Sequence, residues 1–349
     1  MTGLARVRDA LSGPARLLAR AERWAAQGRQ ADALALYDQL LARPRPLLPD
    51  PVAGIVLRTN RAAVLADLGR PEEALAALDE VLTRYDPDAP GPPELAEFGF
   101  GVRCDRAGLL VELGRAHEAL AAYDQLLAQY DRHRWPEARE MVDVARLNRA
   151  ALLGPAGRPH EALDCYQEML ARTDDPPTPD QRIIAATHAA ALLAELGRPH
   201  EALTVYDEAL ARRGGPGEDW TVATVRAQRA ALLAELGRPL EARDGYQRLL
   251  THHRGGATTV DPRRGEVVTD ALLALGRLAE HQLDSPDEAL ECYRHVVADH
   301  SAAPDAPREP VVTALRRAAE LLDRLGRHRE AVAAHDRAER LRDQGCDQG

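Results

Sequence analysis

Residues 196–207 read Leu-Gly-Arg-Pro-His-Glu-Ala-Leu-Thr-Val-Tyr-Asp, and the reading of that phrase decides the fold. Gly197 suits the position just past a helix end, where φ turns positive without a Cβ penalty. Pro199 suits the first turn of a new helix, where its missing N–H costs nothing. Upstream, Ile184, Leu192, Leu193 and Leu196 recur at helical spacing; downstream, Ala202, Leu203, Tyr206, Ala209 and Leu210 form a second stripe. The stretch therefore spells helix, tight turn, helix.

The same phrase returns along the whole chain. Its glycine falls at Gly28, Gly69, Gly114, Gly157, Gly197, Gly237 and Gly326, and a degenerate copy has Asp284 there. Five residues after each anchor stands an alanine: Ala33, Ala74, Ala119, Ala162, Ala202, Ala242, Ala289 and Ala331. Nine residues after it stands Tyr37, Leu78, Tyr123, Tyr166, Tyr206, Tyr246, Tyr293 or His335. Breaker-rich stretches such as 86–93, 173–180, 214–219 and 301–310 separate the copies. The reading is a single all-α array of about eight helix–turn–helix units, near residues 14–43, 51–85, 94–130, 136–172, 179–212, 219–253, 264–300 and 308–344.

These residues resemble the tetratricopeptide repeat family, and the resemblance covers nearly the whole chain. It is carried by the turn glycine, the alanine and tyrosine after it, and a small residue seven before it (Ala21, Ala62, Ala107, Ala150, Ala190, Ala230, Ala319). The period of 40–47 residues exceeds the family's usual ~34. The excess falls in the loops, as in long-period arrays of the kinesin light chain and bacterial type, so the family is preferred over HEAT repeats. The resemblance implies a right-handed α-solenoid in which the first helix of each unit, helix A, lines a concave groove that holds protein or peptide. The last helix, rich in charge, is expected to cap the array, and residues 1–12 to fray or form a short extra helix.

Composition agrees with a helical array. Aromatics are 4% of the residues while Ala, Leu, Arg and Glu abound, which favours helix over strand. All 45 basic residues are arginine, a pattern that fits codon bias in a GC-rich genome. The net charge of −10 argues against nucleic acid and anionic membrane as partners. No apolar run approaches the ~20 residues of a spanning helix, and no signal peptide is legible, so the expected compartment is the cytoplasm. Cys104, Cys165, Cys292 and Cys346 form no paired motif and read as reduced packing residues.

The search for chemistry yields no enzyme. There is no nucleophile elbow, phosphate loop or zinc-hydrolase motif, and each Gly-Arg-Pro follows a helix where a phosphate loop would follow a strand. His117, His160 and His200 share one register of the repeat, tens of residues apart, and read as turn-surface residues. No metal and no cofactor are expected.

What remains is the inner surface. Nine residues before successive anchors stand Asn60, Asp105, Asn148, His188 and Gln228, flanked by the small residues Ala63, Gly108, Ala151, Ala191 and Ala231. Both asparagines of the chain sit in this one register, and a side-chain amide carries donor and acceptor together, which suits an extended peptide. The alternative is that the row only bonds to neighbouring helices or water. In the next register stand Arg61, Arg106, Arg149 and Arg229, open either to a structural partner such as Asp79 or Asp124 or to an anionic ligand. The leading expectation is a non-enzymatic adaptor for a protein or peptide; a sensor that relays a change of shape is the second, and homo-oligomerisation is compatible with both.

Overall fold

The computed structural model describes residues 13–42, 51–84, 93–130, 139–174, 176–212, 220–253, 262–301 and 308–346. The element expected over 1–12 and the centres of the expected loops, 86–92, 214–219 and 302–307, lie outside them. Among the described residues there are sixteen helices and no strand. They run α1 (Gly13–Ala26), α2 (Gln30–Leu41), α3 (Pro51–Asp67), α4 (Pro71–Arg84), α5 (Pro93–Glu112), α6 (Ala116–Gln129), α7 (Arg139–Leu153) and α8 (Pro159–Ala171). They continue with α9 (Pro179–Glu195), α10 (Pro199–Arg212), α11 (Trp220–Glu235), α12 (Pro239–His253), α13 (Pro262–His281), α14 (Pro286–Ser301), α15 (Glu309–Arg324) and α16 (His328–Cys346). The chain divides into two compact units, residues 1–165 and 166–349.

In the first unit α1 pairs with α2, α3 with α4 and α5 with α6, and each hairpin packs on the next through α1–α3, α2–α3, α3–α5, α4–α5 and α6–α7. In the second unit α9–α10, α11–α12, α13–α14 and α15–α16 are the hairpins, and the same neighbour-to-neighbour contacts recur. Within each unit this consecutive stacking is that of an all-α solenoid of tetratricopeptide type.

The turn chemistry is the one the sequence dictates. At Gly69, φ is +71°, the Arg70 N–H reaches back to the Leu65 carbonyl, and Gly69 N–H bonds Ala66. This satisfies carbonyls that the end of α3 would otherwise leave open. Pro71, Pro159, Pro199, Pro239 and Pro286 each open the following helix. The arginine after each glycine then clasps the acid three residues on: Arg70 with Glu73, Arg158 with Glu161, Arg198 with Glu201, Arg238 with Glu241. That clasp explains why the phrase is Gly-Arg-Pro-x-Glu.

The core follows the period. The alanines of each hairpin are sealed, with Ala62, Ala74, Ala190 and Ala202 at most 1% exposed. Tyr37, Tyr166, Tyr293, Leu65, Leu110, Leu153, Leu193 and Leu233 are buried beside them. Each such large apolar side chain contributes on the order of 1.5–3 kcal/mol by leaving water. Two expectations need correction. The leucine directly before the turn, read at Leu196 as part of the stripe, serves the core unevenly: Leu113 packs against it and Leu196 is half-buried, while Leu68 and Leu325 are 38% and 42% exposed, the seam there being filled from Leu65 and Leu322 three residues earlier. Ile184 likewise faces outward, and its neighbour Ile183 takes the buried place.

The degenerate seventh turn hides a one-residue insertion. Leu283 N–H bonds Leu278, five back, and Ser285 N–H bonds Ala279, six back, where Arg70 reaches only five. Helix α13 thus ends in a widened turn with Asp284 at φ +49°. Upstream of it every register slips by one, so Gly276 takes the place of the packing alanine, and a Cβ there would stand 2.6 Å from the Tyr293 ring.

Candidate functional site

The predicted polar row sits on α3, α5, α7, α9 and α11, and its side chains meet tyrosines of the preceding helix B. Asn60 donates from Nδ2 to Glu22 at 3.1 Å, and its amide lies near the Tyr37 phenol, whose rise in pKa it offsets in part. The Asn148 amide lies near the Tyr123 phenol and offsets part of the rise that burial gives its pKa. The Tyr206 hydroxyl donates to Gln228 Oε1 at 3.2 Å. The His188 ring stacks on Tyr166, with centroids 5.6 Å apart and planes 15° from parallel. A buried phenol needs an acceptor for its O–H, and at Tyr206 this register supplies one. Burial pushes the phenols of Tyr37 and Tyr206 up to about 12, and it lowers the His188 imidazole.

Asp105 is the exception in the row. The preceding unit has Leu78 where others have tyrosine, so Asp105 meets no phenol. The residue reaches the surface, yet the protein around its carboxyl pushes its pKa above the ordinary carboxylate range. Burial also lifts the adjacent Cys104 thiol to about 12, with the Asp105 charge adding to the effect. Asn148, Ala63, Ala151 and Ala191 are exposed, Asn60 and Gln228 are half-buried, and His188 reaches the surface although one face of its ring is shielded by Tyr166.

The arginines of the next register form a ladder. Nε of Arg61, Arg106, Arg149 and Arg229 donates to Oδ1 of Asp38, Asp79, Asp124 and Asp207, each at 2.6 Å. Every pair joins a helix A to helix B of the hairpin before it. Where the fifth unit has Ala189 in place of arginine, the fourth has Gln167 in place of aspartate, so donor and acceptor are missing at the same seam. The arginines are only 20–29% exposed, so their stems pack while their charge is matched.

Sequence reading missed Glu280. Its side chain is 2% exposed, and it accepts from the Tyr293 hydroxyl at 3.0 Å and from the Arg324 guanidinium. No register of the repeat marks it, because the widened turn displaces α13 by one residue. Cys104, Cys165 and Cys292 form no disulfide. Among the described residues no three metal-ligating side chains come together, and no helix is long and apolar enough to cross a membrane.

Comparison with known proteins extends the fold. A tetratricopeptide repeat profile matches residues 143–253 and a second matches 56–85. No curated protein matches the chain in sequence. Among solved structures, the apo form of the quorum sensor NprR from B. thuringiensis superposes with a TM-score of 0.60 at 14% identity, over 97% of this chain and 91% of that one. A tetratricopeptide repeat protein from Parabacteroides merdae gives 0.54 at 16% identity, over 86% of this chain and 98% of that one. BtubC from P. vanneervenii gives 0.55 at 20% identity, over 68% of this chain and 91% of that one. At such identities the likeness concerns the fold. Glycine turns, sealed alanines, hairpin stacking and both profiles agree: the chain carries tetratricopeptide repeats, matched by profile over residues 56–85 and 143–253, and has the fold of a tetratricopeptide repeat protein.

Proposed function

We propose that the protein is a non-enzymatic, cytoplasmic scaffold that holds a peptide or protein surface along its A helices. The observation that carries this reading is the state of Asn60 and Asn148. Each amide lies close enough to a buried tyrosine phenol to act on its pKa, Asn60 also bonds Glu22, and each keeps hydrogen-bonding capacity to spare. A side chain fixed before the ligand arrives loses little rotamer freedom on binding, which favours affinity. The exposed Ala63 and Ala151 beside them leave room for a ligand backbone.

The paired arginines weigh against the sensor of an anionic ligand. Arg61, Arg106, Arg149 and Arg229 already face a carboxylate at hydrogen-bond distance, so an anion would have to displace Asp38, Asp79, Asp124 or Asp207. The fold likeness to a quorum sensor keeps a signal peptide within the ligand class, since a peptide needs amides more than it needs that ladder.

The test is affinity capture from the native cytoplasm, followed by binding measurements on the recovered partner. Asn60→Ala combined with Asn148→Ala is expected to weaken binding by about tenfold or more, with the circular dichroism spectrum unchanged. Unchanged affinity in the double variant removes the A-helix row from the interface.

A further inference from the structure

The ladder has two loose ends, and they are complementary. Counting registers, the acceptor stands ten residues after each anchor and the donor eight before the next. At the seams after the first, second, third and fifth units both are present, as Asp38–Arg61, Asp79–Arg106, Asp124–Arg149 and Asp207–Arg229. At the seam after the fourth both are absent, as Gln167 and Ala189, and after the seventh again, as Arg294 and Ala318. In α1 the donor register holds Arg20, and in α16 the acceptor register holds Asp336. Neither has an internal counterpart of its register.

The faces around these two residues carry opposite charge. On α1 the positions that inner units fill with Leu57 and Val64, both buried, are taken by Arg16 and Arg23, both exposed. Among the described residues Arg20 meets no carboxylate; its guanidinium lies over the Trp24 ring at 4.3 Å. On α16 the position of Leu41, Leu82 and Leu127 is taken by Glu339, and Asp336 and Asp343 are exposed nearby. Val332, in the register where Leu34 and Leu75 are sealed against a following helix, is 60% exposed. No described element covers either face.

We infer that the α16 face of one copy docks on the α1 face of another, with Arg20 of one copy bonding Asp336 of the next as Arg149 bonds Asp124 inside the chain. The occupant is a second copy of this chain because the two halves share the register of the internal ladder as well as its charge. A contact between two different faces of one molecule repeats, so association is open-ended unless it closes into a ring. Exposed ion pairs contribute little each, so the contact is weak and sensitive to salt.

Sedimentation velocity of the full chain over a concentration series tests this. The expected result is a sedimentation coefficient that climbs with concentration past that of a dimer, and falls to the monomer value in about 1 M NaCl, where charges are screened beyond ~3 Å. Arg20→Glu and Asp336→Arg should each weaken association by about tenfold or more, and the two together in one chain should restore it. A monomer at every concentration overturns the inference. Association that ignores both substitutions overturns it as well.

Discussion

Arg149 and Asp124 meet 2.6 Å apart across the seam between α7 and α6, so the bond joins one hairpin to the next and not the two helices of one hairpin. The same sense holds at Asp38–Arg61, Asp79–Arg106 and Asp207–Arg229. A solenoid whose units touch only their neighbours needs a device that fixes how each sits on the last. Here the phenol bonds of the polar row and the carboxylates of the ladder both serve at that seam.

The ladder can be extended by design. Arg294 and Ala318 occupy acceptor and donor registers and line one cleft of about 460 Å³ among α14, α15 and α16. Ala318→Arg alone sets two guanidinium groups together and should destabilise the C-terminal hairpins. Arg294→Asp with Ala318→Arg should recover this with a favourable coupling of up to about 1 kcal/mol, measured by a double-mutant cycle in chemical denaturation.

The buried phenols make stability fall in alkali. Tyr37, Tyr206 and Tyr246 have pKa values raised by burial from 10.0 to about 12, so the folded state binds the proton more tightly than the unfolded chain. Their contribution is complete below pH 10 and is lost as pH rises from there through 12. Thermal melts across that window should show a steep decline, and Tyr206→Phe should make it shallower. The same substitution should cost about 1 kcal/mol at neutral pH through the lost Gln228 bond.

His188 acts in the opposite direction. Burial lowers its pKa below 6.5, so the folded state holds the proton more weakly and stability falls as pH drops below 6.5. An NMR titration should place this ring below the ordinary imidazole value of 6.5, and His188→Gln should reduce acid sensitivity of the second unit.

Two glycines inside helices should respond in opposite ways to alanine. A Cβ on Gly276 meets the Tyr293 ring at 2.6 Å, so Gly276→Ala should cost about 1–3 kcal/mol. A Cβ on Gly108 meets nothing within 4 Å, so Gly108→Ala in α5 should stabilise by about 0.5–1 kcal/mol. Paired urea titrations would separate them.

The hairpins were legible because their signals are local: a glycine that needs positive φ, a proline at the first turn, alanines at fixed spacing. The ladder was half legible. Sequence spacing puts Arg106 and Asp79 on facing helices, but it does not say whether Asp124 belongs to Arg106 of its own hairpin or to Arg149 of the next. The structure pairs across hairpins, and the two residues missing from the ladder, Ala189 and Gln167, face each other at one such seam. Leu68 and Leu325 are exposed because they stand in the last turn before a reversal, where the chain already leaves the seam. Glu280 was invisible because the extra residue before Asp284 shifts only the upstream half of its hairpin.

A pair of double-mutant cycles sharing one residue tests the seam directly. Asp124→Ala is combined first with Arg149→Ala and then with Arg106→Ala, and each coupling is read from denaturation midpoints in low and high salt. Inter-hairpin pairing predicts a coupling of about 0.5–1 kcal/mol with Arg149 and none with Arg106. Equal couplings, or a coupling confined to Arg106, would contradict it.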